Sequence, residues 1–198
     1  MDGDSWKNRI VVGITGASGA VYGYRIVKHL AASGREVHAI LSEPGQELLS
    51  MELGIGPEEI AEIAHGIYTN RDMKSQLSSG SYLFNSMVIA PCSMKTLGAI
   101  ASGVSSALIP RVAEVCLKEK RRLILVPRET PLSLVHIRNM ETAAMAGATI
   151  LPAMPGFYHG PSTVESLVDH VVGKVLDQLG VEHDLFKRWG DDHRSRDT

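Results

Sequence analysis

The sequence predicts an α/β domain whose mainly parallel sheet is covered by helices on both faces. Three observations predict this class. Apolar strand-like runs alternate with helical segments along the chain. The first strand, Arg9–Ile14, leads through a glycine loop into a helix that ends near Gly34, and a second strand, Glu36–Leu41, follows. The last long segment, Ser162–Leu179, has an apolar stripe at helical spacing. Ligands of such folds bind where the strands end, so the following loops are the candidate site.

The remaining elements follow from local pattern and turn residues. Helical spacing over 44–64 is interrupted at Gly54–Pro57, and the polar stretch 70–85 has no clear period, which predicts a functional loop. The further elements expected are strand Met87–Ala90, helices Met94–Ala101 and Ile109–Lys118, strand Leu123–Val126 ended by Pro127, helix Leu134–Ala146 and strand Ala148–Leu151.

Length and composition limit the possible functions. The 198 residues suit one domain, and we expect flexible tails at 1–8 and 190–198. A formal net charge of −2 gives no electrostatic reason to expect a nucleic acid or membrane partner. Cys92 and Cys116 have no metal-ligand spacing, so no metal is expected. No pattern typical of a signal peptide is found at the start, which predicts a cytoplasmic protein.

The loop after the first strand is a candidate phosphate or flavin contact. Gly13, Gly16 and Gly19 do not form the dinucleotide fingerprint GxGxxG. Small residues still let backbone N–H groups approach a phosphate, the following helix dipole favours negative charge, and Ser18 adds a hydroxyl donor. The alternative is a tight turn that needs glycine only for packing.

The loops after the second and third strands carry further candidates. Ser42 provides a neutral hydroxyl where a dinucleotide site would place an acid, which suits flavin mononucleotide (FMN) at least as well as NAD. Ser42 is also a candidate helix N-cap, and both roles are compatible. Ser93 caps the next helix, with Lys95 and Thr96 in its first turn, a second favourable place for an anion. The alternative there is a capped helix with a solvated lysine.

Charged residues near the fourth strand give two interpretations. Arg128 and Glu129 follow Pro127, where a crevice should open, so the arginine can bind phosphate and the acid can move protons. The alternative is a surface salt bridge. Arg111 and Lys118 lie on nearly the same helix face, but pairing of Glu114 with Lys118 favours a solvated face.

Three other regions carry polar side chains. Lys120–Arg122 is expected to form a solvated helix end. Tyr158 offers a hydroxyl in a loop rich in proline and glycine, although a half-buried loop tyrosine is the alternative. His159 is more typical of a structural histidine, and Lys174 lies at the flank of the last helix's apolar stripe.

Four motifs in register closely resemble the UbiX-type flavin prenyltransferases, a family that includes the B subunits of phenolic acid decarboxylase systems. They are Gly-Ile-Thr-Gly-Ala-Ser-Gly-Ala, Pro-Cys-Ser-Met-Lys-Thr-Leu, Leu-Val-Pro-Arg-Glu-Thr-Pro-Leu and Pro-Gly-Phe-Tyr-His. The resemblance implies a Rossmann-like, flavodoxin-type three-layer fold and a homo-oligomer, usually a dodecamer. It also implies transfer of a dimethylallyl group from dimethylallyl phosphate to N5 and C6 of reduced FMN without a metal. The product, prenylated FMN, serves UbiD-type decarboxylases.

The resemblance also implies roles for residues at the motif positions. The residues implied as flavin contacts are Gly16, Ala17, Ser18, Ser42, Ser93, Met94, Lys95, Thr96 and Arg128. The residues implied in donor-phosphate binding and acid–base chemistry are Arg111, Lys118, Glu129, Tyr158 and Lys174. Lys174 stands where many family members have arginine, and residues 73–77 depart from the family pattern.

Two other functions remain open at this point. An FMN-dependent cysteine-type decarboxylase shares this fold, but its Pro-x-Met-Asn-x-x-Met-Trp segment is absent from the sequence. A non-catalytic flavin-carrying accessory subunit would bind FMN without releasing phosphate from the donor. The sequence does not decide between a monophosphate and a diphosphate donor.

Overall fold

The computed structural model describes residues 5–190, and its centre is one six-stranded sheet. The strands are β1 (Arg9–Ile14), β2 (Glu36–Leu41), β3 (Gly66–Thr69), β4 (Ser86–Cys92), β5 (Arg122–Pro127) and β6 (Thr149–Ile150). Their order is β3-β2-β1-β4-β5-β6, and every neighbouring pair is parallel. Strands β2 and β3 are added on one side of β1, and strands β4 to β6 on its other side. The point between β1 and β4 is therefore a topological switch point, where folds of this type open a ligand crevice.

Helices cover both faces of this sheet. They are α1 (Ala20–Ala32), α2 (Glu43–Leu53), α3 (Pro57–Ile63), α4 (Met94–Ala101), α5 (Leu108–Lys118), α6 (Leu134–Met145) and α7 (Val164–Leu179). Short 3₁₀ helices occupy Ser5–Asn8 and Gln76–Ser78. The left-handed backbone at Gly54 and Gly180, with φ of 69° and 68°, ends α2 and α7.

Two apolar clusters fill the space between the three layers. Val12 and Ile14 of β1 pack with α1, α2, α3 and α7, whereas Val11 faces α4, α5 and α6 on the other side. This alternation follows from the two-residue period of a strand. The predicted Rossmann-like, flavodoxin-type three-layer fold with a parallel sheet is therefore confirmed.

The structure adds detail that the sequence pattern did not predict. Strand β3 was missed because it is a short edge strand that begins at a glycine and alternates between partly buried and exposed residues. The predicted loop 70–85 contains a 3₁₀ helix and two fully buried side chains, Leu77 and Phe84. Strand β5 ends at Pro127, as predicted, and this proline is itself part of the strand, where it pairs in register with Cys92.

The remaining expectations concern the tails, the membrane and metals. Ser5–Asn8, inside the predicted N-terminal tail, form a 3₁₀ helix, and residues 1–4 and 191–198 lie outside the described residues. Between residues 5 and 190, no helix is long and apolar enough to cross a membrane. The same residues contain no group of three or more His, Cys, Asp or Glu side chains placed to hold a metal ion.

Candidate active site

A cleft of about 730 Å³ opens at the carboxyl ends of β1, β2, β3 and β4. It brings together five of the predicted flavin contacts: Gly16, Ser42, Ser93, Lys95 and Thr96. Other residues that line it are Thr15, Glu43, Pro44, Gln46, Asn70, Arg71 and Ser106. The cleft therefore lies at the switch point of the sheet, and its walls combine hydroxyl, amide and charged groups with the apolar side chains of Leu41, Pro44 and Ala107.

Thr15, which the sequence reasoning passed over, ties two walls of this cleft together. Its Oγ1 donates to the Pro91 carbonyl at 2.7 Å and accepts from the Ser93 N–H at 2.8 Å, and the residue is only 1% exposed. A hydroxyl at the end of a buried strand was the available signal, because such a group needs a partner. Thr15 thus fixes the distance between the loop after β1 and the start of α4.

The glycine loop approaches the wall formed by α2 closely. A Cβ added at Gly16 would lie 2.4 Å from Cβ of Pro44, so only glycine allows this approach. Ala17 is buried and its N–H donates to the Thr15 carbonyl at 2.9 Å, whereas Ser18 is exposed. Neither Ala17 nor Ser18 lines the cleft directly.

The first turn of α1 already holds a carboxylate. The N–H of Gly19 donates to Oε1 and Oε2 of Glu52 at 3.1 and 2.9 Å, and the N–H of Ala20 donates to Oε2 at 2.8 Å. Glu52 reaches this position from α2 and takes the place of a side-chain cap, which Gly19 cannot provide. An anionic ligand at this loop must therefore use donors other than these two N–H groups.

Ser42 and Ser93 both cap helices and line the cleft. Ser42 Oγ accepts from the N–H of Gly45 at 3.0 Å, and Ser93 Oγ accepts from the N–H of Thr96 at 3.3 Å. Ser93 Oγ also donates to Thr96 Oγ1 at 3.1 Å. Ser42 lines the cleft while it caps α2, so a cap role and a ligand role are compatible. Met94 packs against the apolar cluster between the sheet and α4, α5 and α6, and it does not line the cleft.

Arg128 and Glu129, at the end of β5, do not form a salt bridge with each other among the described residues. The Nε atom of Arg128 is buried and has no hydrogen-bond partner in the described part of the chain. Burial raises the pKa of Tyr22 on α1, and the nearby charge of Arg128 opposes that rise. Glu129 is exposed, and its Oε1 accepts from the N–H of Thr130 at 2.9 Å. The salt-bridge alternative is therefore wrong, and the unpaired guanidinium nitrogen fits an anionic ligand.

The side chains of Arg111 and Lys118 lie outside the cleft, beside the loop that precedes β4. Arg111 donates through Nε to the Ser78 carbonyl at 3.1 Å and through Nη1 to Glu114 at 2.9 Å. Lys118 pairs with Glu119. The expected pair of Glu114 with Lys118 is replaced by hydrogen bonds from Ser105 and then Arg111, which lower the pKa of Glu114.

The predicted solvated helix end at Lys120–Arg122 is wrong for Arg121. Its guanidinium is partly buried, donates to the carbonyls of Gly80 and Tyr82 at 2.6 and 2.9 Å, and lies 4.4 Å from the ring centroid of Phe84. Backbone carbonyls about forty positions away leave no trace in the local pattern, so helix spacing could not reveal these bonds.

An aromatic cluster surrounds Tyr158 on the loop before α7. The rings of His159 and His170 stack with centroids 4.8 Å apart, and Tyr158 meets both edge-on. His170 Nδ1 accepts from the N–H of Gly156 at 3.2 Å, and burial lowers the pKa of His170. The interpretation of His159 as a packed residue is consistent with this stack. Lys174 is exposed on α7 and reaches Asp177 at 3.5 Å.

The four predicted donor-site residues therefore form two groups away from the cleft. Arg111 and Lys118 lie on α5, and Tyr158 and Lys174 lie on or before α7; none of the four lines the cleft within this chain.

Comparison with known proteins identifies the family. The sequence model of the family described as Flavoprotein matches residues 2–176. The flavin prenyltransferase UbiX of Methanothermobacter thermautotrophicus is 49% identical over 180 residues, covering 91% of this chain and 94% of the relative. The chain belongs to the UbiX flavin prenyltransferase family.

Solved structures of UbiX proteins share the whole architecture. AnUbiX (PadA1), crystallised with FMN and dimethylallyl pyrophosphate, superposes with a TM-score of 0.91 at 41% identity, covering 93% of this chain and 98% of that one. A dodecameric FMN-dependent UbiX-like decarboxylase from Escherichia coli O157:H7 gives 0.89 at 40% identity, covering 91% and 98%. The peptidyl-cysteine decarboxylase EpiD is only 15% identical, with a TM-score of 0.62, so it shares the fold alone.

Proposed function

We propose that this protein is a metal-independent flavin prenyltransferase that makes prenylated FMN from reduced FMN and dimethylallyl phosphate. The observation that carries the proposal is the serine- and glycine-walled cleft at the switch point, in a chain that superposes at a TM-score of 0.91 on a relative crystallised with FMN and a prenyl donor. The cysteine-type decarboxylase alternative has only fold similarity in its favour.

The residues of the cleft fit an FMN molecule. The hydroxyls of Ser42, Ser93 and Thr96 and the ammonium of Lys95 offer donors to a phosphate and a ribityl chain. Arg128 does not line the cleft, but its buried Nε has no partner among the described residues, and an unpaired buried guanidinium nitrogen is costly unless a ligand meets it. Gly16 lets the glycine loop and α2 approach closely enough to form the cleft.

The chemistry of the transfer sets what the protein must supply. When bound, reduced FMN would supply an electron-rich ring: N5 would lose its proton and bond to the dimethylallyl carbon whose C–O bond to phosphate breaks, and C6 would then bond to the far carbon of the remaining alkene. The leaving phosphate takes the bonding electrons, so fixed cations near it stabilise the transition state more than the ground state. Arg111, Lys118 and Lys174 supply positive charge, and Tyr158 supplies a hydrogen bond.

Closure of the new ring consumes the alkene bond, whose inner carbon takes up a proton, and releases the proton of C6, which needs an acceptor. Glu129 is exposed at the end of β5, directly after Arg128, and only the N–H of Thr130 donates to it among the described residues. A free carboxylate next to the flavin-binding arginine is suited to take this proton, directly or through the leaving phosphate.

A homo-oligomer would bring the two outlying groups to the cleft of another copy. Large apolar side chains are exposed on α6, on the loop before α7, at the start of α7 and near the end of the described chain: Leu134, Val135, Ile137, Met145, Phe157, Val164 and Trp189. Phe157 is 71% and Trp189 83% exposed, and exposed apolar side chains of this size are favourable to bury against another copy. We therefore propose a closed homo-oligomer larger than a dimer, a dodecamer as in the relative from Escherichia coli. Light scattering that gives a monomer at micromolar concentration would rule it out.

The product is proposed to serve a UbiD-type decarboxylase in the cytoplasm. The two buried free thiols, Cys92 and Cys116, are consistent with a reducing compartment.

The decisive experiment is an anaerobic incubation of the protein with reduced FMN and a prenyl donor, followed by a mass spectrum of the released flavin. Dimethylallyl phosphate and dimethylallyl diphosphate form parallel arms, because either could be the donor. We expect a flavin heavier by one prenyl group, together with one released phosphate or diphosphate per flavin. Binding of FMN without this mass shift would leave only the flavin-carrier alternative, and carbon dioxide release from a peptidyl cysteine would favour the decarboxylase.

A further inference from the structure

Three arginines hold the backbone of one loop segment, residues 78–83. Arg111 Nε donates to the Ser78 carbonyl at 3.1 Å, and Arg9 Nη1 donates to the Leu83 carbonyl at 3.2 Å. Between them, Arg121 donates to the carbonyls of Gly80 and Tyr82. Four backbone carbonyls within six residues are therefore held by charged donors from three separate elements.

Arg121 makes two of these four bonds and is itself fixed. Its Nη2 lies 2.6 Å from the Gly80 carbonyl and its Nη1 lies 2.9 Å from the Tyr82 carbonyl. Its guanidinium lies over the ring of Phe84, which is fully buried. A planar guanidinium can hold two carbonyls at once, whereas a lysine ammonium is a single point that cannot reproduce this fork.

The held segment contacts the two cations of α5 assigned to the donor phosphate. A Cβ added at Gly80 would lie 2.7 Å from Nζ of Lys118 and 2.4 Å from Oε1 of Glu119, so the loop backbone and these side chains are in close contact. Ser78, at the start of the segment, accepts from Arg111. Movement of residues 78–82 would therefore displace the side chains of both Arg111 and Lys118.

We propose that Arg121 is a positioning residue for the prenyl-donor site: it fixes residues 78–82 and thereby places Arg111 and Lys118 for the donor phosphate. This inference rests on the proposed function, because it concerns the donor half of that site. Arg121 does not line the cleft, so its effect on FMN is expected to be small.

The test compares Arg121→Lys with a matched control, Arg122→Lys. Arg122 is the neighbouring arginine and donates to the carbonyl of Gln178 on α7, away from the loop. We expect Arg121→Lys to raise KM for dimethylallyl phosphate about tenfold, the effect of losing one charge-assisted hydrogen bond, and to leave the Kd of FMN within twofold of the parent. Hydrogen exchange of the amides at 78–82 should be faster in Arg121→Lys only.

The two readouts separate the possible failures. Equal donor KM values and equal exchange rates in the two variants would overturn the role of Arg121. Faster exchange with unchanged donor KM would make Arg121 a structural residue only, which also contradicts the inference. Failure of the parent protein to form prenylated FMN would instead contradict the proposed function, and with it the donor role of Arg121. Unchanged exchange in Arg121→Lys would separately show that Arg121 does not hold residues 78–82 in place.

Discussion

Gly16→Ala tests whether the close approach of two walls forms the flavin cleft. The backbone at Gly16 does not have a left-handed φ, so the substitution acts through contact and not through backbone strain. The added Cβ would lie 2.4 Å from Cβ and 3.4 Å from Cγ of Pro44, and 3.5 Å from its carbonyl carbon. A proline ring at the start of α2 cannot rotate away, so the loop after β1 and the first turn of α2 must separate.

The expected magnitude follows from the cost of overpacking. Inserting a methyl group into a close contact costs about 1–3 kcal/mol, and the protein can relieve it by opening the cleft at Pro44. If FMN binds only when the two walls are close together, binding restores the close contact and its cost is added to the free energy of binding. The Kd of FMN then rises about 5- to 150-fold. Fluorescence titration of FMN measures this change, and circular dichroism checks that the fold is retained.

The matched control for this prediction is Gly98→Ala, which adds the same atom in the middle of α4. The nearest atom to its new Cβ is the flexible end of Asn139, at 3.3 Å, and alanine favours the helix. An FMN Kd for Gly16→Ala within twofold of that of Gly98→Ala would refute the idea that the Gly16–Pro44 contact shapes the cleft.

Three further predictions concern acid–base chemistry and ionisation. Glu129→Gln should slow formation of prenylated FMN by about 10²–10⁴-fold in rapid-mixing absorbance, with little change in FMN affinity, and a parent-like rate would exclude Glu129 as the proton acceptor. Burial lowers the pKa of His170 below its ordinary 6.5, so the folded protein binds fewer protons than the unfolded chain between that lowered pKa and 6.5. Its contribution to stability is therefore present above pH 6.5 and is lost as pH falls, and the fall in Tm from pH 7.5 to 5.5 should be smaller in His170→Phe than in the parent. Burial raises the pKa of Cys92 and Cys116 to about 12, so neither thiol should react with a disulfide reagent at pH 8 until the protein unfolds.

The sequence predicted the central strands well because burial on both faces requires continuous apolar runs. Arg9–Ile14 and Glu36–Leu41 were predicted to the residue, since each run is bounded by glycine or polar residues. Strand β3 could not be predicted in this way. It lies at the sheet edge with only one neighbour, so its four residues alternate in exposure and carry little apolar signal.

The candidate site was predictable where its residues follow the strands directly. Gly16, Ser42 and Ser93 could be assigned because parallel strands end at the same edge of a sheet. Thr15, Glu52 and Arg121 were missed or misassigned because each bonds to backbone groups more than thirty residues away. Such partners depend on tertiary placement, and no periodicity or local motif records them.

Unsatisfied buried polar atoms indicate where this chain still requires partners. Leaving such an atom without a hydrogen bond costs about 1–3 kcal/mol, so native proteins keep few of them. Within residues 5–190 they include Nε of Arg128, both ring nitrogens of His159 and Nε2 of His170. Arg128 belongs to the proposed flavin half of the site, and the two histidines pack against Tyr158 in the proposed donor half. These four atoms therefore lie in the two regions that we propose FMN, the prenyl donor and neighbouring copies complete. The other two such atoms are Oγ of Ser86 at the start of β4 and Oδ1 of Asp169, which is ion-paired with Arg25 at 2.6 Å.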